Sequence, residues 1–318
     1  MKTRRLGSNG PDLSLIGYGA WEAGGTAWGP NDSDEAVVAS MRAAIDAGID
    51  WLDTAEVYGD GESERLVGLA VAGRRDEVTI ASKVAPASEG SGFLPDQIRA
   101  ACDRSLGRLG TDRIDLYQLH WPDETGVPLE DSWGAMAELQ DAGKVRFVGV
   151  SNFSRELIQR CEAVRHVDSL QQEFSMLNRS DAGLIAWCGT NGTGVVSYGP
   201  LAFGLLTGAI GLDTRFHPDD WRASREEPDD PDDVNLFAPD RLPGAVETVA
   251  AIGKVAERLG ISTAQLALAW NAAQPGVTSA IGGSRNPDHV RANAAAGDVE
   301  LDDATLAELG ALLDSAGY

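Results

Sequence analysis

Val78-Thr79-Ile80-Ala81-Ser82-Lys83-Val84 follows the charged turn Arg74-Arg75-Asp76-Glu77 and has the length and apolar content of a buried strand, yet it carries a lysine near its end. An unpaired ammonium there is costly to desolvate, so it must find a counter-charge or lose its proton. Two other apolar runs also end in ionisable groups. Ile49-Asp50-Trp51-Leu52-Asp53 leads to Tyr58 five residues on, and Ile114-Asp115-Leu116-Tyr117-Gln118-Leu119 ends at His120. Side by side, three such strands would bring Asp53, Tyr58, Lys83 and His120 to one end of a sheet as a proton-transfer site.

Working outward, the N-terminus reads as a hairpin. Thr3 to Leu6 and Leu13 to Ile16 flank Gly7-Ser8-Asn9-Gly10-Pro11, whose Asn-Gly pair is a strong turn signal. Apolar strands then alternate with amphipathic helices. The strand cores fall at Ile16 to Ala20, Trp51 to Asp53, Val78 to Lys83, Ile114 to Leu119, Phe147 to Ser151, Leu170 to Glu173, Val195 to Tyr198 and Thr278 to Ile281. Between them, Asp34 to Ala47 places Val37, Val38, Met41, Ala44 and Ile45 at helical spacing. Leu94-Pro95 opens a helix through Leu109 and Ser154 one through Val164, with Gly110, Gly143 and Gly260 at expected helix ends.

Eight strands each followed by a helix predict a closed parallel (β/α)8 TIM barrel, one domain over residues 1–318, with the N-terminal β-hairpin in front and a long loop after strand 7. A doubly wound open sheet is the alternative. It requires a glycine-rich phosphate loop after the first strand, and Gly17-Tyr18-Gly19-Ala20-Trp21 lacks the third glycine. From Gly208 to Pro243 periodicity fades, and Glu226 to Asp233 is an acidic, proline-punctuated run. Its flanks, Phe216 and Trp221-Arg222, read as parts of a lid.

Composition bounds the rest. The 318 residues carry a formal net charge of −23, which disfavours nucleic acid or an anionic membrane as partner. Lysine occurs only at positions 2, 83, 144 and 254. Adaptation to high salt and a plain compositional bias both fit that scarcity. No apolar run is long enough to span a membrane and no signal peptide is visible, so the cytoplasm is the expected location. Cys102, Cys161 and Cys188 read as reduced core thiols. His166, His217 and His289 lack metal-ligand spacing, so no metal is expected.

In a parallel barrel the C-terminal strand ends build the active site. Asp53 can then pair with Lys83, and the lysine charge is expected to lower the Tyr58 pKa so that the phenol serves as general acid. His120 can hydrogen-bond a substrate oxygen. Taken singly, Asp53 could be a helix cap, Tyr58 a loop residue and His120 a satisfied core histidine. Four coincident strand-end placements favour the site.

The segment Gly48 to Gly59, ending Leu52-Asp53-Thr54-Ala55-Glu56-Val57-Tyr58-Gly59, resembles the signature of the aldo-keto reductases. Ile80-Ala81-Ser82-Lys83 and Leu116 to Asp123 resemble that family's further motifs, in its order and spacing almost end to end. The resemblance implies a barrel with a hairpin across its bottom and a nicotinamide cofactor bound without a Rossmann domain. It implies the catalytic residues Asp53, Tyr58, Lys83 and His120. For the cofactor it implies Ser151, Asn152 and Gln171 at the carboxamide and Tyr198 stacked on the nicotinamide. Gly199, Pro200, Leu201, Gly204 and Leu206 follow near the pyrophosphate, with Gly19, Ala20 and Trp21 at the first strand end. At the adenosine end stand Gly283, Ser284, Arg285, His289 and Asn293, with Ser284 and Arg285 as candidates for a 2′-phosphate. Gly283 stands where many members carry lysine, and His289 where arginine or glutamine is usual. NADP is expected ahead of NAD.

Trp21, Trp28 and Trp121 would line an aromatic mouth around Tyr58 and His120, suited to small carbonyl compounds including sugars. The expected activity is interconversion of an aldehyde or ketone with its alcohol, by a monomer or small homo-oligomer. Two rivals differ in kind. One is a cofactor-sensing regulatory subunit with little turnover, against which the lack of an extended segment ahead of the hairpin weighs. The other is a barrel lyase with Lys83 as Schiff base, against which the adjacent Asp53 weighs.

Overall fold

The computed structural model describes residues 1–86, 93–224 and 235–318. The acidic run 226–233 lies outside the described residues. Strands β1 (Thr3–Arg5) and β2 (Asp12–Ser14) form an antiparallel hairpin in which Arg4 faces Leu13. Eight further strands follow: β3 (Ile16–Gly19), β4 (Trp51–Asp53), β5 (Thr79–Val84), β6 (Ile114–Leu119), β7 (Val145–Ser151), β8 (Ser169–Glu173), β9 (Gly194–Tyr198) and β10 (Val277–Ile281). They close a parallel barrel in chain order, with β10 pairing back to β3. The fold is a (β/α)8 TIM barrel with an N-terminal hairpin, as the alternation of runs predicts.

Helices return the chain from each strand end to the next strand start, and the last two follow β10. They are α1 (Asp34–Asp46), α2 (Glu62–Val71), α3 (Pro95–Leu109), α4 (Leu129–Asp141), α5 (Arg155–Glu162), α6 (Ala182–Thr190), α7 (Leu242–Leu259), α8 (Thr263–Ala273), α9 (Pro287–Ala295) and α10 (Asp303–Ala316). Ser33 and Ser154 accept the orphan N–H groups of Ala36 and Leu157 at two helix starts. Gly110 and Gly260 end α3 and α7 in the left-handed conformation that a Cβ disfavours. The helix begun at Ser154 stops at Glu162, short of Val164, because the Val164 N–H turns to Cys161 O in a tighter closing turn.

Two side-chain layers inside the barrel explain where chemistry can sit. Trp51, Ala81, Leu116, Val196 and Ile281 point inward and pack with Leu6 and Leu13, so the hairpin plugs the N-terminal end. The Trp51 indole crosses against Gly17, where a Cβ would lie 2.1 Å from the ring, and donates to Ser279 Oγ at 3.0 Å. Two residues further along each strand the same inward direction recurs. That places Asp53, Lys83, Gln118 and Tyr198 in the next layer up. The apolar floor thus carries a polar layer at the C-terminal end. Outside the barrel, Cys102, Cys161 and Cys188 are buried free thiols whose pKa burial pushes up to about 12.

Candidate active site

Asp53 ends β4, Lys83 is the penultimate residue of β5, and Tyr58 lies on the loop between β4 and α2. Lys83 is fully buried, and its ammonium donates to Asp53 Oδ1 at 2.7 Å, to the Thr54 carbonyl at 2.9 Å and to Tyr58 Oη at 3.2 Å. The lone buried ammonium read from the sequence therefore has three partners. Burial alone would lower its pKa, but Asp53 and then Tyr58 outweigh that effect and the pKa is raised. Lys83 stays charged.

Tyr58 departs from expectation. Burial raises its pKa, the charge and hydrogen bond of Lys83 offset this only in part, and Asp53 adds to the rise. The phenol holds its proton more firmly than free tyrosine. The correction is physical: neighbouring charges are visible in a sequence, whereas the depth of burial that competes with them is not.

His120 follows β6, and its backbone N–H is held by Val84 O at 2.9 Å. Burial first, and the Lys83 charge second, drive its pKa well below the ordinary histidine value, so the ring is neutral. The ring meets Tyr58 edge-on at 5.7 Å and stacks on Trp121 at 3.8 Å. Trp121 itself is 42% exposed at the rim.

These groups open onto a cleft of about 960 Å³. Its walls include Gly19, Trp21, Trp28, Asp53, Tyr58, His120, Trp121, Ser151, Asn152, Gln171 and Tyr198. Further along it lie Gly199, Pro200, Leu201, Gly204, Gly283, Ser284, His289 and Asn293. Asn152, in the left-handed conformation at φ 61°, donates to the His120 carbonyl at 3.1 Å and accepts from Tyr198 Oη at 2.9 Å. Gln171 donates to Asp53 Oδ2 at 2.8 Å.

Three expected cofactor contacts are placed differently. Ala20 and Leu206 are wholly buried and do not line the cleft, their side chains being taken up by the core. Arg285 also stands outside the lining. Its guanidinium donates to the carbonyls of Trp28, Gly29 and Pro30 at 3.0, 3.1 and 2.9 Å, which fixes it to the loop after β3. As placed, Arg285 is a clamp on that loop rather than a free cation for a phosphate.

The cleft also has walls that the sequence reading missed. Glu22, Phe203, Ile210 and Ser262 contribute to it, beside Arg222 of the expected lid. Arg222 lies over the Trp28 ring at 4.4 Å while pairing with Asp220, and Trp221 stacks on Trp21 at 6.3 Å. Phe216 packs edge-on against Phe237 at 5.6 Å, and Arg222 also lies over its ring. The segment after β9 thus covers the aromatic mouth, as its reading as a lid anticipates. Its periodicity gave no signal for Phe203 or Ile210, because Phe203 sits at a kink with φ 54° in a short 3-10 turn and Ile210 on the loop after it.

The sequence profile of the Aldo/keto reductase family matches residues 15–314. The chain belongs to the aldo/keto reductase family. Aldo-keto reductase YhdN of Bacillus subtilis is 37% identical over 300 residues, covering 92% of this chain and 87% of that protein. Among solved structures, the glycerol dehydrogenase of Gluconobacter oxydans superposes with a TM-score of 0.86 at 30% identity, covering 99% of this chain and 96% of that one. An aldo/keto reductase of Klebsiella pneumoniae, solved in complex with NADP and acetate, gives a TM-score of 0.74 at 32% identity, covering 98% and 96%. Among the described residues no helix is long and apolar enough to cross a membrane, and no cluster of side chains is suited to a metal ion.

Proposed function

We propose that the protein is an NADP(H)-dependent oxidoreductase that interconverts a small aldehyde or ketone, sugars included, with its alcohol. The observation that carries this reading is the Asp53–Lys83–Tyr58 contact chain at the wall of a long cleft. The Klebsiella relative's complex with NADP and the Gluconobacter relative's action on a polyol support the cofactor and the substrate class.

The cleft fits a nicotinamide dinucleotide. At one end Ser151, Asn152 and Gln171 offer hydroxyl and amide groups that suit a carboxamide, with Tyr198 beside them. At the other end Gly283, Ser284, His289 and Asn293 line the turn from β10 into α9. When bound, NADP(H) would supply or accept the hydride.

The chain's own residues handle the proton. Tyr58, kept protonated by burial, is a proton source for a carbonyl oxygen lodged beside it. The phenolate left behind is stabilised by the Lys83 ammonium 3.2 Å away, whose charge Asp53 maintains. Neutral His120 orients the substrate oxygen by a ring N–H. A charged Lys83 is unsuited to Schiff-base formation, which disfavours the lyase alternative. Trp21, Trp28 and Trp121 provide apolar faces for the substrate body.

The test is Tyr58→Phe. NADPH-dependent reduction of an aldehyde and sugar panel should fall by about 10²–10⁴-fold, while NADPH binding by fluorescence titration stays near wild type. Unchanged turnover would remove Tyr58 from this role. Tight NADPH binding by the wild type with no turnover on any carbonyl would favour the regulatory alternative.

A further inference from the structure

We infer that Gln171 is a positioning residue that fixes the Asp53 carboxylate for its ion pair with Lys83. This rests on the reductase reading above and deepens it. The two carboxylate oxygens are divided between two donors: Lys83 Nζ on Oδ1 at 2.7 Å and Gln171 Nε2 on Oδ2 at 2.8 Å. Asp53 is 3% exposed and Gln171 2%, so water has little access to either bond.

The topology gives the second bond its meaning. In the closed order of the barrel β4 and β8 lie four strands apart, on opposite sides of the ring of eight. Gln171 therefore reaches across the interior to a carboxylate with which its own strand shares no ladder. A carboxylate held through one oxygen turns freely about its terminal torsion, whereas one held from both sides does not. An ionised carboxylate only accepts, so the amide must turn its NH2 to Asp53 and keep its carbonyl oxygen for other contacts. The carboxylate so held stays paired with the Lys83 ammonium, which lies within reach of Tyr58. Gln171 thus acts on the proton donor through two intermediates.

A role confined to gripping a cofactor amide makes different predictions. Gln171→Met keeps the length and removes the donor, and Gln171→Asn keeps the amide but shortens its reach. The four lysines make 15N-lysine labelling simple to read. In cofactor-free wild type, the Lys83 ammonium should be the slowly exchanging signal at about pH 6. In both variants its exchange with water should quicken about tenfold. kcat should fall about tenfold, and the limb of the alcohol-oxidation pH profile governed by Tyr58 should move by about one pH unit, the scale of one hydrogen bond to a charged group. An unmoved Lys83 signal and pH profile, with only NADPH affinity weakened, would overturn the proposal. The NMR arm needs no turnover, so a wild type without activity would count against the reductase reading and leave this bond to be judged separately.

Discussion

Arg285 and Trp28, 257 residues apart, are joined by a hydrogen bond of 3.0 Å from the guanidinium to the tryptophan carbonyl. The same guanidinium holds Gly29 and Pro30 and lies 3.8 Å from the Glu22 carboxylate. The loop that carries Trp28 into the cleft is therefore anchored from the turn between β10 and α9. Arg285→Ala should free the loop and raise substrate KM about fivefold, the equivalent of about 1 kcal/mol of lost hydrogen bonding. Steady-state kinetics with both cofactors check this. If Arg285 served a 2′-phosphate alone, the NADPH-supported reaction would suffer and the NADH-supported one would not.

His120 gives the protein a specific acid sensitivity. Its folded pKa is well below the ordinary value because of burial and then Lys83, while in the unfolded chain it titrates near 6.5. Between those two values the unfolded chain binds the extra proton. The stability contribution is therefore complete above about pH 6.5 and is lost as pH falls through that window, by about 1.4 kcal/mol per pH unit. Urea unfolding at pH 7.5 and 5.5 measures it. His120→Asn, which cannot titrate there, should lose about 1.4 kcal/mol less between those two conditions than wild type does.

The strands and the ends of the strands were legible because buried parallel strands leave near-continuous apolar runs, against which Asp53, Lys83 and His120 stand out. Alternation along each run then set which residues face inward. Partners reached across the barrel left no trace of that kind. The bond from Gln171 to Asp53 spans 118 positions and that from Arg285 to Trp28 spans 257, so no local spacing encodes them. The packing of Trp221 on Trp21 likewise arises on segments without helical or strand period. The direction of the Tyr58 shift leaves no trace in the sequence because it depends on burial, which only the closed barrel creates.

Behind the site, Glu64 of α2 is fully buried and pairs with Arg108 of α3 at 2.6 Å while accepting from Ser82. Ser82 is the neighbour of Lys83, so this pair braces the strand that carries the ammonium. Arg108→Met would leave the Glu64 carboxylate buried without its cation. The expected loss is about 3–5 kcal/mol in chemical denaturation. Adding Glu64→Gln should recover a large part of it, since the uncompensated charge is what costs stability. Equal stability of the single and double variants would refute that account.

The backbone around Gly283 leaves no room for a side chain. A Cβ at Gly283 would lie 2.0 Å from the Gly19 carbonyl oxygen and 2.9 Å from its carbon. Both are backbone atoms, at the end of β3, and cannot rotate aside as a side chain can. Strand β3 is also tied here by the Gly282 N–H to Gly17 O at 2.9 Å, so moving it away would break that bond and shift Trp21 two residues on. Gly283→Lys should therefore fail to act as a simple added phosphate ligand. It should destabilise the fold by about 1–3 kcal/mol through overpacking and weaken NADPH binding, and Gly283→Ala should reproduce both losses because the Cβ alone causes them. Isothermal titration with NADPH and thermal unfolding of the two variants decide the matter. Tighter NADPH binding by the lysine variant at unchanged stability would mean that the β3 end yields at little cost.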